Sequence, residues 1–227
     1  MSTTFSTADA LERLFRRFET HAFIFVEPGG NFGDQLIYWG AELLAERVGL
    51  SYRKMSSKEF LKCNVSQNEV VYVHVGGGYN WWCSGAVIRV LEHAIGSNAA
   101  IVIQGSCTFE EDLDYISDVM VPVLQRHANK EIYFMTREMV SYQLALDSLR
   151  PFCGDMMIAH DTAFRLTKDE VLRRVGEVSG GYRLYGFRQD NESGESKVLV
   201  RQLGIRMDPV YFCHDFVHWI RVHAGAK

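Results

Sequence analysis

The sequence predicts an α/β fold, a Rossmann-like, doubly wound and mostly parallel sheet. Three observations predict it. Short apolar bursts recur at 22–27, 70–75, 100–104, 131–136, 156–160 and 182–188, each followed by a glycine-rich or polar turn and then a helical pattern. Few charges fall inside the bursts, as expected of strands covered on both faces by helices. The 227 residues suffice for one large domain, or one domain and part of a second.

The elements follow in order. Residues 8–18 form an amphipathic helix, with Leu11, Leu14, Phe15 and Phe18 on one face and Glu12, Arg13, Arg16 and Arg17 on the other, suited to covering the sheet. The burst 22–27 is the first strand. It runs into "EPGGNFGDQLIYWGAELLAERVGL", residues 27–50, where glycines and an Asn-Phe-Gly-Asp turn separate the strand from a helix. Such a turn lets the backbone approach a ligand, and the N–H groups at a helix start attract anions. The later bursts repeat the strand, turn and helix rhythm until 175–181, "VGEVSGG", where helical periodicity stops and a linker is expected. Residues 1–178 then make a first lobe, and 179–227 the beginning of a second lobe or a C-terminal extension.

Composition excludes several classes. The formal net charge is −4 and no basic stripe is present, which argues against nucleic acid as a partner. No stretch is long enough to span a bilayer, and residues 1–10 lack the basic and apolar regions of a signal peptide. The five cysteines, Cys63, Cys83, Cys107, Cys153 and Cys213, are odd in number and never form a C-x-x-C pair, which reads as reduced thiols in a cytoplasmic protein. His214, His218 and His223 lie close together without the acidic helper of an H-E-x-x-H motif, so no metal site is expected.

In a doubly wound sheet ligands bind beyond the carboxyl ends of the strands. Those ends read "PGGNFGD", "GGGYNWW", "QGSCT", "TRE" and "HDTAF", and they supply the candidate site. Asn31, Gly33 and Asp34 belong to the first turn, where Asp34 is either a helix-start carboxylate favoured by the macrodipole or a group facing the cleft. The turn departs from G-x-G-x-x-G, and Arg53-Lys54 stands where a dinucleotide binder places an acidic residue. It lacks the Gly-Lys-Ser/Thr of a P-loop as well. Gly77 and Gly78 allow close approach of a ligand or a neighbouring loop. Tyr79, Trp81 and Trp82 behind them are either core aromatics or a platform for a sugar ring. Gln104, Ser106, Arg137, Glu138 and Asp161 end the later strands. For Arg137 and Glu138 the plain alternative is a surface ion pair or a helix-start Glu, and for Asp161 a turn residue.

In this order and spacing "GNFGDQLI", "VHVGGGYNWW", "IVIQGS", "TREMVSYQLA", "HDTAF" and "GFRQDNES" resemble the polysaccharide pyruvyl transferase family, over residues 22–192. The resemblance implies two Rossmann-like lobes similar to the GT-B glycosyltransferases, here a GT-B-like first lobe with only the start of the second. It implies phosphoenolpyruvate as donor substrate, with no further cofactor, and a sugar diol of a surface polysaccharide as acceptor, giving a pyruvate ketal. Such a donor needs cationic side chains and oriented N–H groups, together with one acid and one base. Asp34 then becomes a candidate base and Arg137 and Arg188 candidate anion holders, with Asn31, Gly33, Gly77, Gly78, Gln104, Ser106, Glu138 and Asp161 around the substrates. Arg221-Val222-His223 echoes an Arg-Leu-His motif of the family's second lobe, which makes His223 a further candidate. Family members usually run far longer, so the expectation is that most of the second lobe is missing or is supplied by another chain, and that the uncovered first lobe self-associates. The alternatives are a non-catalytic glycan-binding or assembly module and a GT-B-like glycosyltransferase using a nucleotide sugar.

Overall fold

The computed structural model describes residues 10–76, 78–81, 85–109 and 113–175. The expected strand at 182–188, the linker beyond residue 175, Gly77, Trp82, Arg188 and His223 lie outside the described residues. The chain divides after Thr167, and of the second unit only the helix Lys168–Val175 is described.

The strands are β1 (Ala22–Glu27), β2 (Tyr52–Ser56), β3 (Glu69–Val73), β4 (Gly78–Tyr79), β5 (Ile101–Phe109), β6 (Ile132–Thr136) and β7 (Asp155–Ile158). Their order across the sheet is β2-β1-β3-β5-β6-β7, every pair is parallel, and the two-residue β4 pairs with the end of β5 off this path. The fold is therefore the α/β Rossmann-like one that the alternating bursts predict. The chain leaves β1 for the β2 edge and then returns to β3 on the other side of β1. The reversal opens a crevice between the carboxyl ends of β1 and β3, where ligands of such sheets bind.

Helices α1 (Ala10–Arg17) and α2 (Phe32–Val48) cover one face. Leu11, Leu14, Phe15, Ala41 and Leu44 pack there against Phe23, Phe25, Val70, Tyr72, Ile103 and Met135. The predicted apolar stripe of α1 is thus the one that is buried. Helices α3 (Ser57–Phe60), α4 (Ala86–Gly96), α5 (Leu113–Tyr115), α6 (Val121–Gln125) and α7 (Met139–Leu149) belong to the opposite half of the molecule. The core on that face joins Val26, Val71, Val73, Val102 and Phe134 to Val90, Leu91, Leu124 and Ala145. A five-residue π-helical turn, Ile116–Met120, joins α5 to α6.

Two departures from the sequence reading have simple causes. Strand β2, "YRKMS", carries no apolar burst because it is an edge strand with one neighbour, and its residues are only partly covered. Strand β5 runs on to Phe109, past the expected end at Gln104. Its register with β6 shifts between Gln104 and Cys107, and the irregularity carries "GSC" onward along the sheet end. Among the described residues no helix is long and apolar enough to cross a membrane.

Candidate functional site

The β1 end is shaped by capping chemistry. Asn31 is the N-cap of α2: its side-chain oxygen accepts from the Gly33 N–H at 2.8 Å and the Asp34 N–H at 3.4 Å, while Asp34 Oδ2 accepts from the Asn31 N–H at 2.6 Å. This is a reciprocal capping box, and the carboxylate also sits at the favourable end of the helix dipole. Gly29 and Gly30 have φ of 108° and 138°, a region that side chains rarely adopt. The Asp34 carboxyl also packs against two glycines from different loops. A Cβ built on Gly30 would overlap Asp34 Oδ2, and one on Gly76 would overlap Asp34 Oδ1. Asp34 thus spans the crevice between the β1 and β3 ends, and the glycines on either side exist to admit it.

Beyond β3 the burst "VYV" continues into His74, which is fully buried, with neither ring nitrogen hydrogen-bonded. Its ring lies 4.5 Å from that of Tyr38, 4.8 Å from Tyr72 and 5.4 Å from Phe25. Burial, with a smaller contribution from Lys54, pulls its pKa down to about 3, so it is neutral at physiological pH. Tyr38 donates to the carbonyl of Gly29 at 2.5 Å and so holds the glycine turn from below. Burial first, then the charges of Asp34 and Glu27, push the Tyr38 hydroxyl pKa up, which keeps it a donor.

Arg137 occupies the centre of the rim. Its Nε donates to the Ser106 carbonyl at 3.2 Å and its Nη2 to the carbonyls of Val75, at 3.2 Å, and Gly76. Its Nη1 lies 3.3 Å from Asp161 Oδ2. Both side chains are about one-fifth exposed. One guanidinium therefore ties together the ends of β3, β5, β6 and β7. Asp161 in turn caps the 3₁₀ turn Thr162–Arg165, accepting from the Ala163 N–H at 2.8 Å.

The remaining candidates separate by depth. Ser106 is buried at the rim, its hydroxyl donating to the His160 carbonyl at 3.4 Å. Glu138 caps α7, accepting from the N–H groups of Val140 at 2.6 Å and Ser141 at 2.9 Å, so its carboxylate is committed to the helix start. Gln104 is fully buried inside the sheet, where its amide donates to the Gly105 carbonyl and its Oε1 has no partner. Gly78 lies in β4. Of the aromatic run, Tyr79 is core, packed with Phe109 and Phe134, whereas Trp81 is 57% exposed. The geometry thus brings Asn31, Gly33, Asp34, Ser106, Arg137 and Asp161 to one rim, and places Gln104 below it.

Several further residues near the site were not among the sequence candidates. Lys54 Nζ reaches Glu42 at 3.1 Å and Glu27 at 3.6 Å, and these carboxylates outweigh the burial that would lower its pKa, so the net shift is upward. The hydroxyl of Thr162 donates to the Ile37 carbonyl at 2.6 Å, seating the turn after β7 on α2 at Gly40, where a Cβ would overlap the Thr162 carbonyl. His74 carried a signal, a polar residue closing an apolar burst. The Gly40 contact carried none. Burial pushes the Cys107 thiol up to about 12, so it is no nucleophile at neutral pH. Among the described residues no three His, Cys, Asp or Glu side chains group to hold a metal ion.

No protein-family model matches the chain, and no curated protein matches it. Among solved structures it is similar to an uncharacterised protein of Klebsiella pneumoniae subsp. pneumoniae NTUH-K2044, with 21% identity and a TM-score of 0.56 over 80% of this chain and 65% of that one. At that identity the likeness shows the fold alone. The chain spans less than two thirds of that protein's length.

Proposed function

We propose that this chain is a polysaccharide pyruvyl transferase-like protein of the cytoplasm, which binds phosphoenolpyruvate at the β1/β3 crevice and transfers its pyruvyl group to a sugar diol as a ketal. The observation that carries the reading is the convergence of the glycine turn at 29–34, Gly76, Ser106, Arg137 and Asp161 on one rim, in a fold whose switch point lies there. These are the strand ends whose order and spacing resemble the family. In the reaction a proton goes to the methylene carbon of the donor, one acceptor hydroxyl adds to the cationic carbon, and the second displaces phosphate. In this reading Asp34 is the candidate base toward an acceptor hydroxyl, backbone N–H groups of the glycine turns are the candidate donors to the anionic groups of phosphoenolpyruvate, and Arg188 is the anion holder that the family resemblance implies. Activity by this chain alone, or with a complementing chain, belongs to the same proposal.

A second reading, a glycan-binding module, is favoured by Trp81, whose exposed indole follows β4 and makes an edge-on contact to Tyr115 at 5.1 Å. Calorimetric titration with phosphoenolpyruvate, beside the Arg188→Ala variant, decides between them. Saturable binding that the variant weakens by about tenfold or more supports the transferase reading, since a charge-assisted contact is worth that much. Absence of binding by the wild-type chain removes it and leaves the glycan-binding module.

A further inference from the structure

We infer that Arg137 is a positioning residue rather than an anion holder: with Asp161 as its counter-charge, it latches Val75 and Gly76, the backbone that follows β3, into the shape that walls the crevice on the β3 side. A guanidinium offers five N–H donors in a fixed fork and accepts nothing. Here the fork is spread over the carbonyls of Ser106, Val75 and Gly76 and the carboxylate of Asp161, and all three of its nitrogens are engaged. An arginine that receives a substrate phosphate or carboxylate commonly presents two parallel N–H groups outward. Arg137 aims its donors at the protein's own backbone.

The consequence for the loop follows from peptide geometry. No described peptide is cis, so a carbonyl drawn toward the guanidinium turns the next N–H the opposite way. Val75 and Gly76 are consecutive, and both of their carbonyls are drawn to the same nitrogen. In an extended strand successive carbonyls point to opposite sides. Capturing two in a row takes Val75 and Gly76 off the strand path and turns the Gly76 N–H away from the guanidinium. Position 76 must be glycine because the Asp34 carboxyl lies against its Cα. Gly105 plays a matching part, since a Cβ there would stand 3.1 Å from the Val73 carbonyl and 3.4 Å from the Val75 nitrogen. Asp161 completes the latch because the turn it caps is bonded to α2 through Thr162, which anchors the carboxylate.

The latch is independent of which anion binds, and only the ligand arm of its test rests on the proposed donor. The first measurement needs no ligand: hydrogen exchange of the backbone segment 74–81 in the wild type and in Asp161→Asn, Arg137→Lys and their double variant, each checked for folding by circular dichroism. Lysine has one compact ammonium and cannot span three carbonyls and a carboxylate. Exchange in that segment rises on the order of tenfold in both single variants, the double variant adds little, and the helix α4 amides stay unchanged. Added methylguanidinium restores protection to Arg137→Ala.

The second measurement is the affinity for phosphoenolpyruvate in the same variants. Asp161→Asn binds more weakly, because the loop loses its shape. If Arg137 itself held the ligand, removing its competing carboxylate would tighten binding, so the sign separates the two roles. Unchanged exchange in both single variants, or tighter binding by Asp161→Asn, overturns the inference. If the wild type binds no phosphoenolpyruvate, the donor reading fails and the exchange data alone decide the latch.

Discussion

Gly40 lies within α2, where helix propensity alone favours alanine by roughly 0.5–1 kcal/mol. Packing reverses that preference, because a Cβ at Gly40 would overlap the carbonyl of Thr162, a backbone atom of the turn that also bonds Ile37. Gly40→Ala is expected to lower stability by about 1–3 kcal/mol, the cost of forcing a methyl into a filled contact. Urea denaturation reads the change directly, and a gain in stability would mean that the turn moves aside at no cost. Arg137 makes the same point in electrostatic form: a charged residue at a strand end suggests a ligand contact, and its partners turn out to be four groups of the protein itself.

At the scale of elements, the start of α2 joins stability to function. The capping box satisfies helix N–H groups and holds the carboxyl of Asp34 between two glycine turns. Asn31→Ala is expected to cost about 1 kcal/mol, and Asn31→Asp far less, because an aspartate accepts the same two N–H bonds. Thermal melts of the two variants check this, and equal losses would show that the cap contributes little here. The sequence reading placed Asp34 at the helix start, and the reciprocal cap with Asn31 emerged from the structure. Strand β2 was not legible in the sequence, since an edge strand needs no apolar alternation to pair through its backbone. The extension of β5 beyond Gln104 was hidden for a related reason: "GSC" has no strand preference of its own, and the strand regains its pairing past the irregularity, through Cys107 with β6 and Thr108 and Phe109 with β4.

At the scale of the whole molecule, His74 links protonation to global stability because it lies in the core under the sheet's switch point. The unfolded chain takes up a proton there near pH 6.5, whereas burial holds the native pKa at about 3. Between those values the unfolded state binds more protons, so stability rises with pH and falls as pH is lowered. The loss reaches about 1.4 kcal/mol per pH unit below 6.5 and stops growing near pH 3. Denaturation of wild type and His74→Phe at pH 7 and pH 5 tests this. The difference in stability between them is expected to shift by about 2 kcal/mol in favour of the variant at pH 5, and parallel behaviour would refute the assignment.

The sequence by itself determined the fold class, the strands that are buried on both faces, and the carboxyl-end turns as the place to look. Each of these depends on local periodicity and turn chemistry, which neighbouring residues encode. Only the tertiary structure decided what those turns do to one another. Asp34 fits between Gly30 and Gly76, Arg137 is spent on Val75, Gly76, Ser106 and Asp161, and Gly40 meets Thr162, because the parallel crossovers bring together loops that are far apart along the chain. Contacts of that kind are set by the order of strands in the sheet, and no local pattern in a single sequence records that order.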